Sequence, residues 1–284
     1  MARTLATALR EAAVALTPSS PSPRLDADVL LRHVTGCSPA DLVARAERIL
    51  TDDEARRLDA LTTRRRAGEP VAYLTGEREF WSMTLKVTPA VLIPRPETEL
   101  LVERALAHVP ADARWTVADV GTGSGAIALA IARERPRCRV IASDRSPEAL
   151  AVARANAHQL GIANVEFFEG EWLEPLGKLS PEMVVSNPPY VRADDPHLNE
   201  GDVRFEPKGA LIGGADGLDA IRALAQQAFA CLMPGGWLLL EHGYDQATAV
   251  AAILTEAGFC EIACHRDLAG HDRVTECRAA PTGC

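Results

Sequence analysis

The chain has 284 residues, 47% of them hydrophobic, and 39 Asp and Glu against 30 Lys and Arg. That length allows two domains, and a formal net charge of −9 argues against general affinity for nucleic acid. No run approaches the ~20 consecutive apolar residues of a membrane span, the first residues lack the apolar segment and cleavage site of an exported chain, and seven cysteines without a Cys-x-x-Cys pair suit reduced thiols, so a cytoplasmic chain without membrane or direct nucleic-acid partners is expected.

Residues 1–66 hold eleven arginines and nine acidic residues, +2, whereas the remainder carries 19 basic against 30 acidic residues, −11. Lysine occurs only at Lys86, Lys178 and Lys208, a bias that suits a GC-rich genome. Leu5, Ala8, Leu9, Ala12 and Ala13 predict a first helix, and Leu25, Val29, Leu30 and Val34 a second that Gly36 ends. Ser38-Pro39-Ala40-Asp41 starts a third, and Thr51-Asp52-Asp53-Glu54 is a capping box for another. Such short helices bury their stripes only against one another, so a small all-helical domain is expected over 1–72. It carries no catalytic constellation; a binding role and a solubilising cap are both open. Residues 67–92 read as extended, and the alternation from Glu79 to Val87 predicts a β-hairpin linker, placed at 73–92.

From 93 to 284 strands and helices alternate, which predicts an α/β domain: a mostly parallel sheet with helices on both faces. Within it, Trp115 to Val120 runs as a strand into Gly121-Thr122-Gly123-Ser124-Gly125, and a helical pattern follows. Glycines there let the backbone turn tightly and approach a ligand. The spacing Gly121-x-Gly123-x-x-Ala126 also fits the dinucleotide fingerprint, so the loop alone does not choose between a nicotinamide and a methyl donor. Asp119, two residues before the first glycine, favours the latter: a carboxylate attracts a cationic sulfonium or amino group and repels a pyrophosphate. A second strand ends in Asp144, 19 residues past Gly125, where an acid binds ribose hydroxyls or caps the helix beginning at Ser146-Pro147-Glu148. A third strand, Val165 to Phe168, leads to Trp172, which suits stacking beside an adenine or filling the core.

Met183-Val184-Val185 predicts a buried strand, stopped by the prolines of Ser186-Asn187-Pro188-Pro189-Tyr190. Asn187 then stands at a strand end. Its side-chain oxygen and a backbone carbonyl are acceptors for a planar –NH2 group, and the Tyr190 ring can stack on that plane. These groups suit alkyl transfer onto the nitrogen of an amide or a nucleobase amine, although Asn-Pro also marks plain turns. Cys260, Cys264, His265, His271 and Cys277 gather near the end without standard ligand spacing, so no metal is expected.

Over about residues 70–275 these motifs resemble the class I S-adenosylmethionine-dependent methyltransferases, and more narrowly the protein-(glutamine-N5) methyltransferases of peptide release factors, the HemK/PrmC family. The resemblance is carried by Leu92-Ile93-Pro94-Arg95-Pro96-Glu97-Thr98-Glu99, the Asp119 to Gly125 run, Asp144, Gly170-Glu171-Trp172, Ser186 to Tyr190, Glu206-Pro207 to Asp216-Gly217-Leu218, Pro234-Gly235-Gly236 and Glu241 to Gln246. The Pro-Arg-Pro-Glu-Thr-Glu run is its narrowest element. Ribosomal-protein glutamine methyltransferases usually differ there and adenine-N6 DNA methyltransferases lack it; these are the enzymatic rivals, and a release-factor-binding regulator is the non-enzymatic one.

The resemblance implies a Rossmann-like, seven-stranded domain. It implies S-adenosylmethionine as cofactor (S-adenosylhomocysteine as product), no metal, a monomer, and release factors presenting a Gly-Gly-Gln loop as partners. Gly121, Thr122, Gly123, Ser124, Gly125, Asp144, Trp172 and Asn187 resemble cofactor-binding positions, joined by Asp119 on the charge argument above. Asn187, Pro188, Pro189 and Tyr190 resemble the residues that hold the substrate glutamine, with Asn187, Pro188 and Tyr190 closest to the chemistry. Arg95 and Glu97 are expected as cleft wall and substrate contact, unless they belong to a proline-rigidified turn opening a helix.

Overall fold

The structure, a computed structural model, describes residues 3–280. Two compact units are present: the chain up to Glu77 together with Asn199–Phe205, and Arg78–Leu198 together with the chain from Glu206.

The first unit is helical. α1 (Leu5–Leu16) opens at Thr4, whose hydroxyl accepts the Thr7 N–H, and buries Leu5, Ala8, Leu9, Ala12 and Leu16. α2 (Pro23–Thr35) ends on Gly36 at φ 68, a left-handed C-cap that glycine adopts without penalty. Its buried stripe is Ala27, Leu30, Leu31 and Val34, while Leu25, expected on it, is 60% exposed. Asp26 takes the inward place because it accepts the Arg65 Nε–H at 2.7 Å. α3 (Pro39–Ala44) and α4 (Asp52–Arg66) both begin with a complete capping box, Ser38 with Asp41 and Thr51 with Glu54. α5 (Val71–Thr75) is a short helix where an extended segment was expected; it sinks Ala72 and Leu74, and Leu74 joins the core of this unit. Arg65, 3% exposed, also donates through Nη1 to Asp202 at 2.6 Å.

The second unit begins with a hairpin, β1 (Glu77–Phe80) and β2 (Met83–Lys86), as the alternation indicated. Its two-residue turn, Trp81-Ser82, has φ of 51° and 53° without glycine. A type I′ turn needs positive φ at both centres, and Trp81 is held there by Glu99, which accepts its N–H at 2.8 Å, and by Glu134, which accepts its indole N–H at 3.1 Å. Phe80, Met83 and Leu85 enter the main core, so the hairpin is part of this unit's packing.

The remaining elements are α6 (Glu99–His108), β3 (Thr116–Val120), α7 (Ala126–Glu134), β4 (Arg139–Asp144), α8 (Pro147–Leu160), β5 (Val165–Glu169), β6 (Met183–Ser186), α9 (Asp219–Cys231), β7 (Trp237–Glu241), α10 (Ala247–Glu256), β8 (Phe259–Arg266) and β9 (Asp272–Ala279). They build one seven-stranded sheet in the order β5-β4-β3-β6-β7-β9-β8. Only β9 runs antiparallel to its neighbours, so the expected mostly parallel α/β sheet is present. Alternate residues feed two cores: Val117 and Val185 pack on the face covered by α6 and α7, whereas Ala118, Val120 and Val184 pack on the face covered by α9 and α10. From β3 the order runs one way to β4 and the other way to β6. Open α/β sheets bind ligands beyond the strand ends at such a reversal.

Candidate active site

β3 ends at Val120 and the glycine loop turns into α7. Gly125 holds the N-cap position at φ 84, and a Cβ there would stand 3.2 Å from the Ala153 Cβ, so the residue serves both the turn and the close approach of α8. Gly121 lies in the cavity wall at φ 74; a Cβ on it would point toward Trp172 at 3.9 Å. Asp119 sits behind the loop and outside the cavity wall. Its Oδ2 accepts the Thr122 hydroxyl at 2.6 Å and the Ala128 N–H at 3.0 Å. A buried carboxylate needs such donors, and they serve Oδ2 alone, whereas Oδ1 is buried without a hydrogen-bond partner. Burial raises its pKa to about 7, with the Asp144 charge adding to the rise.

Asp144 ends β4 and lines the cavity. Its Oδ2 accepts the Gly123 N–H and its Oδ1 the Ser146 N–H, both at 2.9 Å. The N-cap of α8 is Ser146, whose hydroxyl accepts the Ala149 N–H at 3.1 Å, so of the two readings of Asp144 the capping one belongs to its neighbour. Trp172 lines the same wall, half-buried, at φ 48, with its carbonyl accepting the Ser143 hydroxyl at 2.9 Å.

The opposite wall starts where β6 stops. Ser186 is anchored to the Val120 carbonyl at 2.6 Å. Asn187 follows in the wall, and its Nδ2 donates to the Thr98 Oγ1 at 3.2 Å. Thr98 occupies the N-cap position of α6 yet makes no capping bond; its hydroxyl serves Asn187 instead. Pro189 is in the wall; Pro188 is buried behind it. Tyr190 also lies outside the wall: its hydroxyl donates to the Glu241 Oε1 at 3.2 Å, and burial pushes the phenol up, keeping it a neutral donor. Arg95 lines the cavity with its guanidinium committed to Glu206, a buried acid that also accepts the Ile93 N–H at 3.3 Å. Glu97 is exposed and outside the wall.

These two walls enclose a cavity of about 240 Å³, with Val91, Leu92, Pro94 and Ile127 as its apolar surface. Sequence reasoning gave no role to four residues that organise it. Thr98, Glu206 and Glu241 stood inside quoted motifs without a role of their own. Asn156, fully buried inside α8, donates to the Ser124 and Lys86 carbonyls and accepts the Lys86 N–H, tying the glycine loop to β2; an amide at a buried helical position was its only signal. Among the described residues no helix is long and apolar enough to cross a membrane, and no group of three or more His, Cys, Asp and Glu forms a metal-binding cluster.

Residues 7–76 match the family described as PrmC N-terminal domain, and residues 96–201 the family described as Methyltransferase small domain. The chain is 49% identical over 267 residues to the release factor glutamine methyltransferase of Escherichia coli (strain K12), covering 94% of this chain and 96% of that one. It is 50% identical over 277 residues to the release factor glutamine methyltransferase of Vibrio cholerae serotype O1, covering 97% and 96% respectively. In fold it is similar to a methyltransferase from Pyrococcus furiosus, with a TM-score of 0.54 at 17% identity over 78% of this chain and 98% of that one. Relatives of this identity, matched over almost their full length, show that the chain belongs to the release factor glutamine methyltransferase family.

Proposed function

We propose that this chain methylates the side-chain amide nitrogen of the glutamine in the Gly-Gly-Gln motif of peptide chain release factors, with S-adenosylmethionine as donor. The reading rests above all on the Asn187 carboxamide. Its –NH2 is engaged by Thr98, which leaves the acceptor Oδ1 for the cavity that Asn187 lines. A carboxamide nitrogen is a poor nucleophile, so the task is positioning and stabilising charge. Asn187 Oδ1 and the Pro188 carbonyl accept the two substrate N–H bonds, aim the nitrogen, and favour the positive charge that grows on it. The proton leaves to water after transfer, so no general base is required beforehand.

The other wall fits the donor. Each Asp144 oxygen accepts one backbone N–H and keeps a lone pair for a ribose hydroxyl. Trp172 offers a ring for adenine in the wall it shares with Gly121. Bound there, S-adenosylmethionine supplies an electrophilic methyl group on a cationic sulfonium. Gly121, Thr122, Gly123 and Ser124 wall the site from below, Gly125 shapes their turn, and Asp119 fixes Thr122 from behind. Arg95, locked to Glu206, shapes the substrate wall.

Mass spectrometry of a Gly-Gly-Gln peptide incubated with the protein and S-adenosylmethionine should show one added methyl group on the glutamine; an unmodified peptide alongside an unmodified intact release factor would refute the reading. The N-terminal helical unit is proposed to dock the body of the release factor. Removing residues 1–66, once the remainder is shown to be folded, should then raise KM for the whole factor more than for the peptide.

A further inference from the structure

Two runs of the chain outside the cavity wall, Asp216-Gly217-Leu218 and Glu241 to Gln246, converge on the backbone of Tyr190. Gln246 stands at the head of α10 and is 9% exposed. Its Nε2 donates to the Tyr190 carbonyl at 3.0 Å, and its Oε1 accepts the Gly243 N–H at 2.8 Å. A carbonyl only accepts and a backbone N–H only donates, so these two partners leave the Gln246 carboxamide one orientation. Gly217, at φ 79, closes on the same carbonyl. A Cβ there would stand 2.3 Å from the Tyr190 oxygen and 2.8 Å from Gln246 Nε2, so a side chain at this position would break the contact.

The Tyr190 carbonyl matters because the segment before it has little else to be held by. Pro188 and Pro189 have no N–H to donate, and the Pro188 carbonyl is reserved for the substrate. Upstream, the Ser186 hydroxyl is anchored to the Val120 carbonyl at 2.6 Å. Downstream, the peptide unit joining Tyr190 to Val191 is gripped at both ends. Its N–H donates to the Leu211 carbonyl at 2.8 Å, and its C=O accepts from Gln246. Without Gln246 that unit pivots on the Leu211 bond. The two proline rings fix φ on the way back to Asn187, so few torsions absorb the movement, and it passes to the Pro188 carbonyl and to Asn187.

We infer that Gln246 is a positioning residue for methyl transfer: by fixing the Tyr190–Val191 peptide it sets where Asn187 Oδ1 and the Pro188 carbonyl stand, and so how the substrate nitrogen is aimed. The inference rests on the function proposed above. Gln246→Met keeps the length of the side chain and loses both bonds. Gln246→Glu keeps an acceptor for Gly243 but, ionised, sets an oxygen against the Tyr190 carbonyl.

The test is steady-state methylation of a Gly-Gly-Gln peptide and of an intact release factor by wild type, Gln246→Met and Gln246→Glu, with calorimetric cofactor affinity alongside. Calorimetry also compares binding of Gly-Gly-Gln and Gly-Gly-Met peptides in the presence of S-adenosylhomocysteine, since methionine has the length of glutamine without its –NH2. Expected in both variants are a kcat loss of about tenfold or more, a cofactor Kd within about threefold, and a preference for the Gln over the Met peptide reduced about threefold or more. A merely structural defect would weaken both peptides in proportion; an unchanged preference therefore overturns the inference. If Gln246→Met does not fold, Gln246→Glu reads the same bond by the same measurements. An active wild type with a folded variant equally active overturns the inference alone; a wild type inactive on peptide and intact release factor overturns the proposed function, and this inference with it.

Discussion

The Asp144 carboxylate accepts the Gly123 N–H at 2.9 Å, so the acid that ends β4 also fixes the loop that follows β3. One side chain therefore sets the distance between two parts of the proposed cofactor wall, and its other oxygen holds the entrance to α8 through Ser146.

Asp144→Ala should weaken S-adenosylmethionine binding through lost charge-assisted ribose bonds, worth ~1.5–3 kcal/mol. Asp144→Asn keeps an acceptor for only one of the two backbone N–H groups, while Ser146 still caps α8. It should bind cofactor more weakly and melt below wild type by the loss of one backbone bond, no lower than Asp144→Ala. Calorimetry showing wild-type affinity in both variants would reject the ribose assignment.

Asn187→Ala should abolish methyl transfer and leave cofactor affinity within about tenfold, ~1.4 kcal/mol. Thr98 then loses its partner but not its place at the head of α6. Single-turnover rates settle the matter: a variant retaining more than about a tenth of the wild-type rate does not fit a residue that aims the nitrogen.

Asp119 and Glu241 are buried acids raised to about 7, chiefly by burial. In the unfolded chain they ionise near their ordinary ~4. Between those values the folded state holds more protons, so their contribution to stability is whole below about pH 4, falls as pH rises to about 7, and is level above. Asp119→Asn removes one of these titrations. Its melting temperature should decline less than that of wild type between about pH 5 and pH 8; parallel curves would contradict the raised value.

Arg65→Ala should destabilise the helical unit by ~3–5 kcal/mol, because it strands the buried Asp26 carboxylate without its cation. Arg65→Met with Asp26→Leu should recover much of that loss, since apolar groups of similar volume need no partner. Urea unfolding of both variants checks this; equal midpoints for Arg65→Ala and wild type would show that the pair contributes nothing.

Features of this fold written in neighbouring residues were legible in the chain. The capping boxes at Ser38 and Thr51, the Gly36 stop, the hairpin alternation and the turn from β3 into the glycine loop each depend on residues a few positions apart. Leu25 was misplaced because the inward side of α2 is decided by Asp26 meeting Arg65, 39 residues away. Residues 71–75 were expected extended because a mostly apolar run of five residues fits either period, and packing of Leu74 chose the helix. The site divides in the same way. Asn187 and Asp144 announced themselves by position at strand ends, but Thr98 lies 89 residues from Asn187, Glu206 lies 111 from Arg95, and Glu241 lies 51 from Tyr190. Nothing local distinguishes those partners from ordinary polar residues until the sheet brings them together.

The excursion of Asn199–Phe205 into the helical unit has a consequence for synthesis. Arg65 and Asp202 are separated by 137 residues. At a translation rate of roughly 5–20 residues per second, the helices wait on the order of ten seconds for the segment that completes them. During that interval Arg65 has Asp26 alone. The first part of the chain to leave the ribosome is thus finished only after the Asn-Pro-Pro-Tyr segment has followed it out.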